Sequence, residues 1–370
     1  MTAYPAHVLV AGHDFGGLNL LAPLLRVWQA DPRLAAAFVS TPAVCREMSA
    51  QVPSLQFPPW AGEITEYLCA NADELDAYLT RVLRPSEWDI VLCATSRVSL
   101  LEKRLIRVAR ATGLHTIAFC DMWWAYEDRF RDGRQWRIPH TLWVLDERMR
   151  DEISEIAWPR RPAIEVVGSP LFQQLMDLRS GIASTDGAIR FISEPASSKF
   201  PRSGIDEFDL AEQLVATVRA AGLKTRIVVR THPADPLEQW RRWAWRMREQ
   251  AVELDTMPLA QCIADTARAV GISSMLLSEM AMCGVPTASL QWPRTDPTYY
   301  CLPFEEFGIA RLSSVETLER WLTAGAGGEA TRVRSGVHAG AIERITACLV
   351  GEHGQSREVP PARGRTKWRK

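Results

Sequence analysis

Short apolar, β-branched runs alternate along the chain with longer amphipathic stretches, which is the pattern of parallel βαβ units. The first run, His7–Gly12, ends at the glycine-bearing turn Gly12–Gly17 and predicts a helix through Trp28. Further strands are predicted over Ala36–Ser40, Asp89–Ala94, Thr116–Asp121, Thr141–Asp146 and Ile164–Gly168, with a weaker one at Leu55–Phe57. Helices are predicted over Ala72–Leu83, Leu100–Thr112 and Glu147–Ile156. Ser180–Gly187 is small and polar and reads as a linker. The pattern then restarts, with strands at Ala188–Ser193, Thr225–Arg230, Ala251–Leu254, Ala267–Gly271 and Pro286–Leu290. The helices of this half are predicted over Phe208–Ala221, Leu237–Glu249, Met275–Cys283, Val315–Leu322 and Glu329–Leu349. Two such halves predict an α/β protein of two Rossmann-like domains, 1–180 and 188–350, whose strand ends face a shared central cleft.

Composition narrows the classes. The 370 residues carry 43 basic and 44 acidic side chains, and this balance argues against general nucleic-acid binding while leaving room for a local phosphate site. Eight cysteines without a CxxC pair, mostly in apolar runs, read as buried thiols of a reducing compartment and give no zinc spacing. No apolar run is long enough to span a membrane, and the N-terminus lacks the marks of a signal peptide, so the expected location is cytoplasmic. Residues 351–370 hold six basic and two acidic side chains and are expected to form a disordered basic tail, a solubilising segment with peripheral membrane contact as the alternative.

Four segments carry candidate chemistry. In Gly12-His13-Asp14-Phe15-Gly16-Gly17 the glycines allow close backbone approach and the helix start attracts anions, although the dinucleotide fingerprint is absent. His13 and Asp14 there read as substrate contacts or an acid and base, or Asp14 as a helix cap. Asp121 ends a strand beside Trp123 and Trp124, so it reads either as a base with aromatic faces for a sugar nearby or as a cap beside core aromatics. Arg230-Thr231-His232-Pro233 follows an apolar strand, where His232 can protonate or hold a phosphate and Arg230 can clamp one. Ser273 and Ser274 stand at a strand end and helix start suited to phosphate, or as an N-cap, with Glu279 in reach of a ribose or simply exposed. The helix Gln239–Glu249 interleaves Trp and Arg; its spacing puts Trp240, Trp243, Ala244 and Met247 on a packed face and Trp245 on another.

From about Ala6 to about Val350 the chain resembles the GT-B glycosyltransferase superfamily. Val167-Gly168-Ser169-Pro170 is similar to the Gly-x-Pro segment that closes the N-terminal domain in such proteins. His232-Pro233 and Ser273-Ser274 are similar to the His-Pro and Ser-Ser motifs of bacterial sialyltransferases and polysialyltransferases. The resemblance implies a glycosyltransferase of polysaccharide biosynthesis that needs no metal and no cofactor. It would take a nucleotide-sugar donor, a CMP-linked acidic sugar among the candidates, and a glycan or small-molecule acceptor. By the resemblance His232, Ser273 and Ser274 would hold the donor and Asp121 or Asp14 would be the base, while the residues' own places in the chain add Arg230 and Glu279 to the donor side and His13, Gly16, Gly17 and Trp123 to the acceptor side. Two alternatives stay open: a non-hydrolysing sugar-nucleotide 2-epimerase, and a non-catalytic GT-B-like protein that binds a nucleotide or glycan.

Overall fold

A computed structural model describes residues 5–178, 187–199, 204–292, 304–324 and 337–355. The linker stretch 180–186, Cys301 and the tail beyond residue 355 lie outside the described residues. The chain divides into two compact units, one of residues 1–173 with 336–370 and the other of 174–335.

The first unit is built on a six-stranded parallel sheet of order β2-β1-β3-β4-β7-β8. Its strands are β1 (Ala6–Ala11), β2 (Leu34–Val39), β3 (Ile90–Ala94), β4 (His115–Phe119), β7 (Thr141–Val144) and β8 (Ala163–Val166). A two-residue antiparallel pair, β5 (Arg131–Asp132) and β6 (Gln135–Trp136), makes a small hairpin between β4 and β7. Val8, Leu9, Val10, Val91 and Leu92 are wholly buried, as continuous apolar strands covered on both faces require. Leu55–Phe57, expected as a strand, supplies only a single bridge from Gln56 to Ala37. The polar Gln56 and the prolines at 53 and 58 leave too short a run to form a ladder.

The second unit repeats the plan with β9 (Ala188–Ile192), β10 (Ile227–Arg230), β11 (Val252–Leu254), β12 (Thr266–Gly271), β13 (Thr287–Leu290) and β14 (Ala310–Leu312), in the order β11-β10-β9-β12-β13-β14. Its core gathers Phe191, Val229, Val270, Leu214, Trp240 and Trp243. The Trp–Arg helix, observed over Leu237–Arg246, packs as its spacing predicts. Trp240 and Trp243 are buried, while Trp245 is exposed under the Arg248 guanidinium, 4.5 Å from the ring centre.

The last helix, Ala341–Gln355, corrects the expected domain limits. Read from sequence it closes the second half, but it packs on the first unit, where the Trp28 indole donates to Thr346 Oγ1 at 2.9 Å. It also continues through residues 351–355, where a disordered tail was expected to begin. Gly168 explains the docking. It sits at φ +81°, and a side chain there would strike the Val337 carbonyl and Ala341, so only glycine lets the strand exit lie against the returning chain. The Ser169 N–H donates to His338 Nδ1 at 3.2 Å, and Phe172 stands edge-on to the same ring. No described helix is long and apolar enough to cross a membrane.

Candidate functional site

In each sheet the chain reverses direction of growth beside its first strand, at β1/β3 and at β9/β12. Open parallel sheets leave a crevice at such a point, outside the carboxyl ends of the strands. The residues singled out from sequence fall at these ends in both units.

In the first unit, Asp14 follows β1 and holds the N-cap position of the helix Phe15–Trp28, yet its carboxylate makes no capping bond. It turns instead to His13, with Nδ1 to Oδ1 at 3.6 Å, and to Ser96 after β3. The His13 ring also meets Glu66 at 3.1 Å, and its backbone N–H donates to Glu102 at 2.8 Å. These partners push His13 up to about 9; the Asp14 bond is the largest cause and outweighs burial. Burial pushes Asp14 up, but His13, Ser96 and the field of Arg129 hold it below the ordinary carboxylate range. Asp121 has the opposite balance: burial lifts it above that range despite Arg129. Arg129 is the hub, donating to Asp121 Oδ1 at 2.7 Å, to Thr95 Oγ1 at 3.0 Å and to the Trp124 carbonyl at 3.3 Å. One exposed, ionised carboxylate thus stands in the field of the guanidinium that one buried carboxyl of higher proton affinity contacts.

The glycines of the first turn have separate jobs. A Cβ on Gly16 would lie 2.5 Å from Asp121 Oδ2, so its absence lets the carboxylate sit against the turn. A Cβ on Gly17 would lie 2.6 Å from that of Ala94, so Gly17 serves close packing of the helix on β3. Trp123, expected to present a face to the acceptor, is core: it is buried, its indole donates to Asp146 at 2.6 Å and its ring stacks on Phe172. Sequence reading missed Glu66, Glu102 and Arg129. Glu102, Lys103 and Arg104, three consecutive charges at the start of their helix, are all buried, which the sequence did not signal.

In the second unit, His232 stands in a turn after β10. Its backbone N–H donates to Asp235 at 2.7 Å and its Nδ1 accepts from the Ala234 N–H at 3.0 Å. A neutral ring so held carries its proton on Nε2. Arg230 was expected to clamp a phosphate; the structure uses it internally, with Nη1 donating to Asp255 at 2.9 Å and to the Met257 carbonyl at 2.8 Å. Arg190 reaches the same Asp255 oxygen at 2.7 Å, so one wholly buried carboxylate balances two cations. Ser273 binds Glu194 across the β9/β12 reversal, through its N–H and through Oγ at 3.0 Å. Ser274, not Ser273, caps the helix Met275–Met282. Glu279 is buried on that helix, and desolvation raises it to about 7 against the field of Arg230.

No protein-family model and no curated protein matches the sequence. Solved structures do match in fold. UDP-GlcNAc 2-epimerase from Neisseria meningitidis, bound to UDP-GlcNAc, aligns at 11% identity and TM-score 0.65, covering 93% of this chain and 100% of its own. A UDP-glucosyltransferase from Polygonum tinctorium aligns at 13% identity and TM-score 0.58, covering 95% and 100%. MurG from Acinetobacter baumannii aligns at 11% identity and TM-score 0.55, covering 93% and 99%. The chain therefore has two six-stranded parallel α/β units of GT-B type, a fold shared by epimerases and glycosyltransferases.

Proposed function

We propose that this protein is an enzyme that breaks the anomeric C–O bond of a nucleotide-sugar and transfers the sugar to an acceptor hydroxyl. The observation that carries the reading is the His13–Asp14 pair at the β1 end. Asp14 is ionised, keeps 47% of its side chain exposed and spends nothing on capping. In this reading Asp14 takes the acceptor proton, and His13, protonated at neutral pH, holds the carboxylate in place. The second unit supplies the nucleotide contacts: His232 Nε2–H as a donor to a phosphate oxygen, Ser274 at the helix start, and Glu279 toward a ribose hydroxyl. Its fold neighbours are named for uridine nucleotides, which moves the expected donor from a CMP-sugar to a UDP-sugar.

Epimerisation is the second reading. It is supported by a proton donor and a proton acceptor standing together in one unit and by the likeness to a UDP-GlcNAc 2-epimerase. Proton NMR of UDP-GlcNAc with the protein in D2O separates the two. Transfer releases UDP only when an acceptor is supplied and leaves the sugar's C2 hydrogen in place. Epimerisation replaces that hydrogen with deuterium without any acceptor. Neither change, across UDP-, CMP- and GDP-sugars, would sink both.

A further inference from the structure

Lys103 lies in the first turn of the helix Leu101–Ala111 and is 4% exposed. Its Nζ donates to the Arg97 carbonyl at 2.9 Å and to the Asp128 carbonyl at 2.8 Å. A buried cation held by two neutral carbonyls is costly unless the structure needs what it joins. The Arg97 segment follows Thr95, whose carbonyl and hydroxyl oxygens accept from Arg129, and Ser96, whose hydroxyl meets Asp14. Asp128 precedes Arg129 itself. The ammonium therefore fixes both the backbone that carries the Arg129 guanidinium and the strand-end segment that accepts from it. Ala125, in the left-handed region at φ +53° within the same segment, marks a backbone held by its surroundings.

We infer that Lys103 is a positioning residue: by tying the Arg97 and Asp128 carbonyls together it sets the Arg129 guanidinium on Asp121 and within the field of Asp14. The charged groups facing Arg129 are Asp121 and Asp14, with Cys120 beside them, while Glu102, Asp128 and Asp132 act on Lys103. Its consequence for turnover rests on the nucleotide-sugar reading; its effect on the two carboxylates does not.

The test is carbon-13 NMR titration of aspartate side chains in the full chain, with Asp14 and Asp121 assigned through Asp14→Asn and Asp121→Asn. In Lys103→Met Asp121 titrates about one pH unit higher than in the parent and Asp14 moves the same way by less, because the guanidinium is no longer held on Asp121 and in the field of Asp14. Lys103→Arg keeps the charge but moves the donor atom; it shifts both in the same direction by less, and serves if the methionine variant does not fold. Arg104→Met is the control for a merely structural loss. It breaks the buried pairs to Asp76 and Asp132, lowers the melting temperature, and leaves both titrations in place. Unchanged titrations in both Lys103 variants, or equal shifts in Arg104→Met, would overturn the inference. Shifted titrations with no turnover of any nucleotide-sugar would leave Lys103 its role and sink the proposed function instead.

Discussion

The two sheets share a strand plan but end differently. At the carboxyl ends of the first, His13, Asp14 and Glu66 stay partly exposed and hold opposite charges in contact. At those of the second, Arg190 and Arg230 meet on the buried Asp255, and at the strands' amino ends Arg190 and Arg226 meet on Asp265, so cations and anions neutralise one another inside the unit. Beside them stand a half-buried imidazole whose Nδ1 accepts from the Ala234 N–H and a serine-capped helix start. Under the proposed nucleotide-sugar reading, proton exchange falls to the first unit and a phosphate to the second.

Asp14→Asn tests that division most severely. Loss of a positioned base lowers turnover about 10²–10⁴-fold, while nucleotide affinity, a property of the other unit, stays unchanged by calorimetry. A drop below tenfold would move the base to another group. Glu279→Gln tests the second unit. The folded Glu279 keeps its proton to about pH 7, above its ordinary 4.5, so stability falls as pH rises between those values. Removing that cost adds up to about 3 kcal/mol at pH 8, read by urea unfolding, together with weaker nucleotide binding if the carboxylate meets a ribose.

Two histidines of the first unit then predict the shape of the pH–stability curve. His338 is lowered to about 4 by burial and Arg344, so it stays neutral while the unfolded chain takes up a proton below about 6.5. Its share of stability, about 3 kcal/mol, is present above 6.5 and lost as pH falls to 4, with release of the last helix. His13 is raised to about 9, so its share is full below 6.5 and lost as pH rises through 9. In Glu279→Gln, where the opposing loss between pH 4.5 and 7 is gone, melting temperatures should therefore peak near pH 6.5, and adding His338→Gln flattens the acid side only. The smallest effect compares two strained alanines. Ala125→Gly and Ala251→Gly each relieve a left-handed conformation worth about 1 kcal/mol, yet only the first, in the Asp121–Arg129 segment, should lower turnover.

Both parallel sheets were legible from the chain, because buried strands read as unbroken apolar runs and the helices between them as amphipathic periods. The hairpin β5–β6 and strand β14, of two or three residues each, are too short to show a period. The last helix carries no mark of its partner: its docking depends on Gly168 and Trp28, far away in sequence. His13, Asp14 and Asp121 were legible because each stands where an apolar strand stops. Arg129 and Glu102 were not, since their neighbours come from β1, β3 and β4 together, and only the folded sheet makes them so. Trp123 misled for the reverse reason: an aromatic at a strand end reads alike whether it faces a ligand or, as here, Asp146 and Phe172.

The central proposal is that the second unit holds a nucleotide through His232. Thermal unfolding with UDP, CMP, GDP and ADP, on the parent chain, Asp14→Asn and His232→Ala, tests it directly. At about 100 times its dissociation constant a bound nucleotide adds roughly 2.7 kcal/mol, a shift of a few degrees. The account predicts that shift with UDP in the parent and in Asp14→Asn, and its loss in His232→Ala. No shift with any nucleotide, or a shift that survives in His232→Ala and vanishes in Asp14→Asn, would contradict it.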